Sequence, residues 1–190
     1  MGIFYSQWGD YDRQQYLDGT VTYPVLSHFQ QGTAVTIGNT VAETTIFTTG
    51  LGSRTFQGGW FRVGSIVRVH ILGTIKTLDA AETLRFRAYL GGTVILDSTA
   101  LTYPSIASAT GFRRDLDFTF SAIGASGSCG AGATELIYSA APASVGTSTV
   151  PTVSTVDTTA AQTLNMTYTW GAANAANVLI VYGVEVECMG

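Results

Sequence analysis

The stretch TLRFRAYLGGTVILDS, residues 83–98, has a period of two. Leu84, Phe86, Ala88 and Leu90 fall on one side of an extended chain, and Arg85, Arg87 and Tyr89 on the other, because side chains along a strand point alternately to opposite faces. Such alternation marks a strand with one buried face. Gly91 and Gly92 then supply the positive φ of a tight hairpin turn, and TVILDS returns as the partner strand.

The same period recurs on either side. WFRVGSIVRVHILGTIK (60–76) puts Val67, Val69 and Ile71 on one face and Ile66, Arg68 and His70 on the other. RRDLDFTFSAIG (113–124) sets Leu116, Phe118 and Phe120 against Asp115, Asp117 and Thr119. TLNMTYTW (163–170) aligns Leu164, Met166, Tyr168 and Trp170. TAVTIGNTVAETTIFTTG (33–50) reads as two short strands, ATELIYSA (133–140) as another, and VLIVYGVEVECMG (178–190) as the closing strand. PASVGTSTVPTVSTVDTTAA (142–161) reads as a Ser/Thr/Pro loop and GASGSCGAG (124–132) as a flexible loop tip. No window holds a helical period. About eight to ten short strands at this spacing predict an all-β fold, an antiparallel β-sandwich of jelly-roll type.

One local pattern occurs twice. LDAAETLRFRAYLGG (78–92) and TTAAQTLNMTYTWGA (158–172) share the frame Ala-Ala-x-Thr-Leu, an alternating run and a Gly exit. Two copies do not make a solenoid. A jelly roll contains two Greek keys, and the echo suits one strand of each.

Residues 1–31 lack the alternation and collect Phe4, Tyr5, Trp8, Tyr11, Tyr16, Tyr23 and Phe29. They read as an irregular N-terminal arm before a sandwich domain at 32–190. Its aromatics need a surface to cover, and aromatic residues are enriched in interface cores. Phe4, Tyr5, Trp8, Tyr11 and Tyr16 are therefore the candidate docking residues.

Composition points the same way. The chain has 190 residues, of which 12% are charged and 46% hydrophobic, whereas an average globular protein is roughly 25% charged. Lys76 is its one lysine. Surfaces so poor in charge suit subunits that bury much of themselves against neighbours. The formal net charge of −4 leaves no footprint for nucleic acid. No apolar run approaches the ~18 residues of a membrane span, and the opening residues lack the basic start and apolar core of a secretory leader. Cys129 and Cys188 make no disulfide framework and are read as free thiols.

Chemistry is sparsely marked. His28 and His70 have no zinc-site spacing, the glycine-rich stretch lacks a phosphate-loop lysine, and Cys129 has no base to activate it. The pairs Asp10/Asp12, Asp115/Asp117 and Glu185/Glu187 could in principle act as glycosidase acids or calcium ligands, but ion pairing on a sheet face explains them more simply. Arg113 and Arg114, followed by two aspartates, read as local ion pairing at a subunit contact. Asn165-Met166-Thr167 matches a glycosylation acceptor, which requires a secretory route. No catalytic, cofactor or metal residue is nominated, and the chain is read as a non-enzyme.

The segment STVDTTAAQTLNMTYTWGAANAANVLIVYGVEVE (154–187), with its W-G-x-A-x-x-x-N turn, resembles the closing segment of jelly-roll structural proteins of tailed bacteriophages. The hairpin AAETLRFRAYLGGTVILDS (80–98) is similar to an earlier strand pair of those modules. The resemblance covers about residues 33–190. It implies a homotrimer on the virion surface, made in the host cytoplasm without a signal peptide. The expected role is a capsid decoration or cement protein, with the major capsid protein or a tail protein as its partner. The alternative is a tail-fibre or spike receptor-binding module, in which Trp60 stacks on a host-surface glycan.

Overall fold

The structure, a computed structural model, describes residues 26–77, 82–138, 145–148 and 152–189. These residues form fourteen strands in two antiparallel sheets packed face to face. In chain order they are β1 (Leu26–Gln31), β2 (Val35–Gly38), β3 (Thr44–Thr45), β4 (Gly50–Gly52), β5 (Thr55–Phe56), β6 (Ile66–Thr77) and β7 (Glu82–Leu90), then β8 (Thr93–Tyr103), β9 (Ile106–Ala122), β10 (Gly127–Tyr138), β11 (Val145–Ser148), β12 (Thr152–Val156), β13 (Gln162–Trp170) and β14 (Val178–Met189). The large sheet runs β11-β10-β9-β6-β14-β1-β4, with β12 also on β10 and β2 also on β14. The small sheet runs β3-β13-β7-β8, with β5 on the end of β13.

The run β1-β14-β6-β9 of the large sheet and the run β3-β13-β7-β8 of the small sheet are the two four-stranded layers of a jelly roll, and β10 and β12 of the large sheet also reach β8. The expected faces are the buried ones. Val67, Val69 and Ile71 of β6 and Leu116, Phe118 and Phe120 of β9 point inward from the large sheet. Leu84, Phe86, Ala88 and Leu90 of β7, with Leu164, Met166, Tyr168 and Trp170 of β13, meet them from the small sheet. Trp170 keeps its indole N–H satisfied by donating to the Ile37 carbonyl at 3.1 Å.

The repeated frame occupies the centre of the small sheet. β7 and β13 are antiparallel neighbours, with Leu84 opposite Trp170 and Leu90 opposite Leu164. Each ends in the same bond: Gly91 N–H donates to Thr163 O at 2.9 Å, and Gly171 N–H to Thr83 O at 2.8 Å. A Cβ on Gly91 would strike the Gln162 side chain, and one on Gly171 the Thr83 hydroxyl. Gly91 also holds φ at 61°, where only glycine sits without strain. The two frames are thus one close-packed strand exit used on both sides of a local two-fold.

Three expectations change. Residues 26–31, read as arm, are β1, paired to β14 on one side and β4 on the other. A register shift between Ser27 and Phe29 buries consecutive residues His28 and Phe29, and that shift erased the alternation. The glycine-rich stretch is a turn that leads straight into β10, with Cys129 fully buried. Gly127 fits there because a Cβ would press on β12, 2.8 Å from Val156 O. The Ser/Thr/Pro segment contains β11 and β12 rather than a plain loop; β12 is largely β-branched and pairs with β10 from Gly127 to Ala131.

Candidate functional site

The outward side chains of β7, β8 and β13 build a polar face on the small sheet. Arg85 and Arg87 lie two residues apart on β7 and both reach Asp97 on β8. Arg85 Nε donates to Asp97 Oδ1 at 2.8 Å and Arg87 Nε to Oδ2 at 3.2 Å. A bulge makes this convergence. Arg87 lies opposite Asp97 but Arg85 opposite Ala100, Thr99 takes a φ of 57°, and its N–H donates to Asp97 Oδ1 at 2.9 Å. Bulges re-aim side chains; this one turns a carboxylate toward two guanidiniums. The bonds from Arg85, outweighing burial, hold the Asp97 carboxyl down at about 2.

Arg87 also donates from Nη1 to Glu43 Oε2 at 2.6 Å. Glu43, between β2 and β3, accepts at Oε1 from Tyr89 Oη and Thr167 Oγ1, each at 2.5 Å. Burial opposes ionisation of Glu43, but these donors prevail and its carboxyl lies below the ordinary value. Burial, with the Glu43 carboxylate, pushes the Tyr89 phenol up. Beside them Thr45 Oγ1 donates to Asn165 Oδ1 at 2.6 Å. Glu43, Thr45, Tyr89, Gly91, Asn165 and Thr167 line an open concavity of about 450 Å³.

The outer face of the large sheet carries a ladder of ion pairs and hydrogen bonds. Asp115 and Asp117 share a face, as do Glu185 and Glu187, and each meets a neighbour across the strands. Arg68 Nε lies 2.8 Å from Asp117, His70 Nδ1 2.7 Å from Asp115 and His70 Nε2 3.5 Å from Glu187. Arg113 Nε reaches Asp115 at 2.9 Å, and Gln30 Nε2 donates to Glu185 at 3.0 Å. Asp10 and Asp12 lie outside the described residues.

Arg114 departs from expectation. It does not pair with the neighbouring aspartates but points between the sheets, at 1% exposure beside Glu135, also at 1%. The two form an ion pair, and Tyr103 Oη donates to the same carboxylate. The Arg114 guanidinium sits 4.4 Å from the centre of the Phe86 ring. Arg113, one residue earlier on the opposite face, is the one that pairs with Asp115.

Trp60 is half-buried. It packs on Phe56 with ring centres 4.9 Å apart and on Phe61 at 5.1 Å, while His28 stacks on Phe56 at 4.5 Å. The ring is part of an aromatic cluster that closes one end of the sandwich. Cys129 and Cys188 are free thiols, both pushed up to about 12 by burial. Phe4, Tyr5, Trp8, Tyr11 and Tyr16 lie outside the described residues. Among the described residues no group of His, Cys, Asp and Glu could hold a metal ion, and no helix is long and apolar enough to cross a membrane.

Glu43, Tyr89 and Asn165 were not singled out together from the sequence. Tyr89 was legible as outward-facing, but Glu43 sits in a short VAETT connection, and only the pairing of β3 and β7 with β13 brings the three together.

No protein-family model matches the chain, and no curated protein matches it. Among solved structures the chain is similar to one described as "Structure of infectious bursal disease virus Gx strain", at 13% identity and a TM-score of 0.20, over 95% of this chain and 47% of that chain. The match thus spans about half of that chain's length, and at that score it carries no argument about what this chain does.

Proposed function

We propose that this chain is a non-enzymatic structural subunit of a virion surface, a decoration or cement protein of tailed-bacteriophage type. In this reading it forms a homotrimer and is mounted by its N-terminal segment on the major capsid protein or a tail protein. The observation that supports it is how the surface divides its charges from its apolar groups. Arg68, Arg85, Arg87 and Arg113 on the two outer faces each pair with a carboxylate inside the subunit, while Leu72, Tyr138 and Tyr182 stand more than half exposed on the large sheet and Leu51 and Val153 are 76% exposed. A contiguous exposed apolar patch marks a surface that partners cover, and Leu72 and Tyr182 stand on adjacent strands, β6 and β14.

The mount is tested by truncation. Removing residues 1–25 leaves β1 whole, so the shortened chain should stay folded and self-associated yet fail to occupy particles. A shortened chain that decorates particles at full occupancy contradicts the assignment of Phe4, Tyr5, Trp8, Tyr11 and Tyr16 to docking.

A further inference from the structure

From the geometry we infer that the concavity on the outer face of the small sheet is a binding site for a neutral saccharide, a hexose unit within a longer glycan. This goes beyond the structural-subunit reading and does not depend on it. Among the described residues Arg85 and Arg87 are the cations of this face, and Asp97 and Glu43 take up both of them. Two cations and two carboxylates leave no net charge to attract a phosphate, a carboxylated ligand or a cation. What the site offers is hydrogen bonding of both senses on a fixed frame.

Each polar group has one role spent on the frame and another open. Asn165 receives the Thr45 proton at Oδ1, which orients the amide and leaves its N–H₂ to donate. Glu43 is fixed by Arg87, Tyr89 and Thr167, and a carboxylate has about four lone-pair positions, so it retains room to accept from a hydroxyl. The hydroxyl of a sugar both donates and accepts, and vicinal hydroxyls would meet both groups. Tyr89 spends its phenol proton on Glu43, which pins its ring as an apolar wall beside these groups. Gly91 brings no side chain into the edge of the site. An aromatic wall beside a carboxylate and an amide matches a pyranose, which has C–H groups on one face and hydroxyls around its rim. The site is open rather than enclosed, which suits an internal unit of a chain.

The test uses the full-length protein and saturation-transfer difference NMR with methyl glycosides of glucose, galactose, mannose and N-acetylglucosamine. At least one should receive saturation through its ring C–H protons. Asn165→Asp keeps the oxygen that Thr45 bonds but replaces the amide donor with a second charge, and Tyr89→Ala removes the wall. Both should weaken that glycoside at least about tenfold, the equivalent of about 1.4 kcal/mol, while Val63→Ser, at an exposed position outside the concavity, should bind as the parent does. Far-ultraviolet circular dichroism confirms that each variant is folded. Absence of transfer to all four glycosides overturns the inference, as does unchanged binding by folded Asn165→Asp. Preference for methyl glucuronide over the neutral glycosides overturns the claim of a neutral ligand.

Discussion

Arg114 enters the core between Phe86 and Tyr168, with Glu135 as its counter-ion and Tyr103 bonded to the same carboxylate. Desolvating such a pair is costly, and removing one partner strands the other. Glu135→Ala should therefore cost about 3–5 kcal/mol, whereas the joint replacement Arg114→Met, Glu135→Leu and Tyr103→Phe, which strands no partner of the group, should be close to neutral. Urea unfolding of both variants checks this, and a loss below about 1 kcal/mol for Glu135→Ala would contradict the buried pair. By parity Arg114 falls in the same row as Leu116 and Phe118. Reading it as a partner of the adjacent aspartates let charge override parity, and parity was correct. Asp97 gives a second handle. Its carboxyl drops from 3.8 to about 2 on folding, so between those values the unfolded chain binds a proton that the folded one does not. Stability from this group is present above the unfolded value and is lost as pH falls through the folded one. The difference between the parent and Asp97→Asn should be about 1–2 kcal/mol near neutrality, allowing for partial solvent screening. It should shrink as pH falls toward 2, and a difference that grows on acidification would contradict the pairing.

At the scale of strands, alternation revealed β6, β7, β9 and β13, ATELIYSA marked the second half of β10, and β1, the first half of β10 and β12 were concealed. The first four bury one face and carry polar side chains on the other, so period two is written in their residues. β1 hides behind a bulge. The first half of β10 buries Gly127, Cys129, Ala131 and Ala133, and such small residues carry little periodic signal. The concavity was illegible because its groups come from three separate segments. Phe118→Ala should cost about 3–5 kcal/mol, as for other buried aromatics. A value below about 1 kcal/mol would mean the register of β9 is shifted by one, which would turn its whole inner face outward. Gly91→Ala should cost about 1–2 kcal/mol, because the added Cβ is strained at positive φ and meets Gln162. An unchanged midpoint would contradict the shared strand exit of β7 and β13.

For the whole molecule, composition and surface raise the same issue. A sandwich that is 12% charged, with Leu72, Tyr138 and Tyr182 open on one face, has apolar area that association would remove from water at about 25 cal/mol per Å². Part of that gain is offset by the lost freedom of the associating chains. The association should depend on those residues, so Leu72→Lys with Tyr182→Lys should weaken it while leaving unfolding little changed. The central proposal is that copies of this subunit cover one another. Sedimentation equilibrium of the full-length chain at micromolar concentration tests it most directly: the account expects a species of three times the 20.0 kDa chain mass, and a monomer at 20.0 kDa would contradict it.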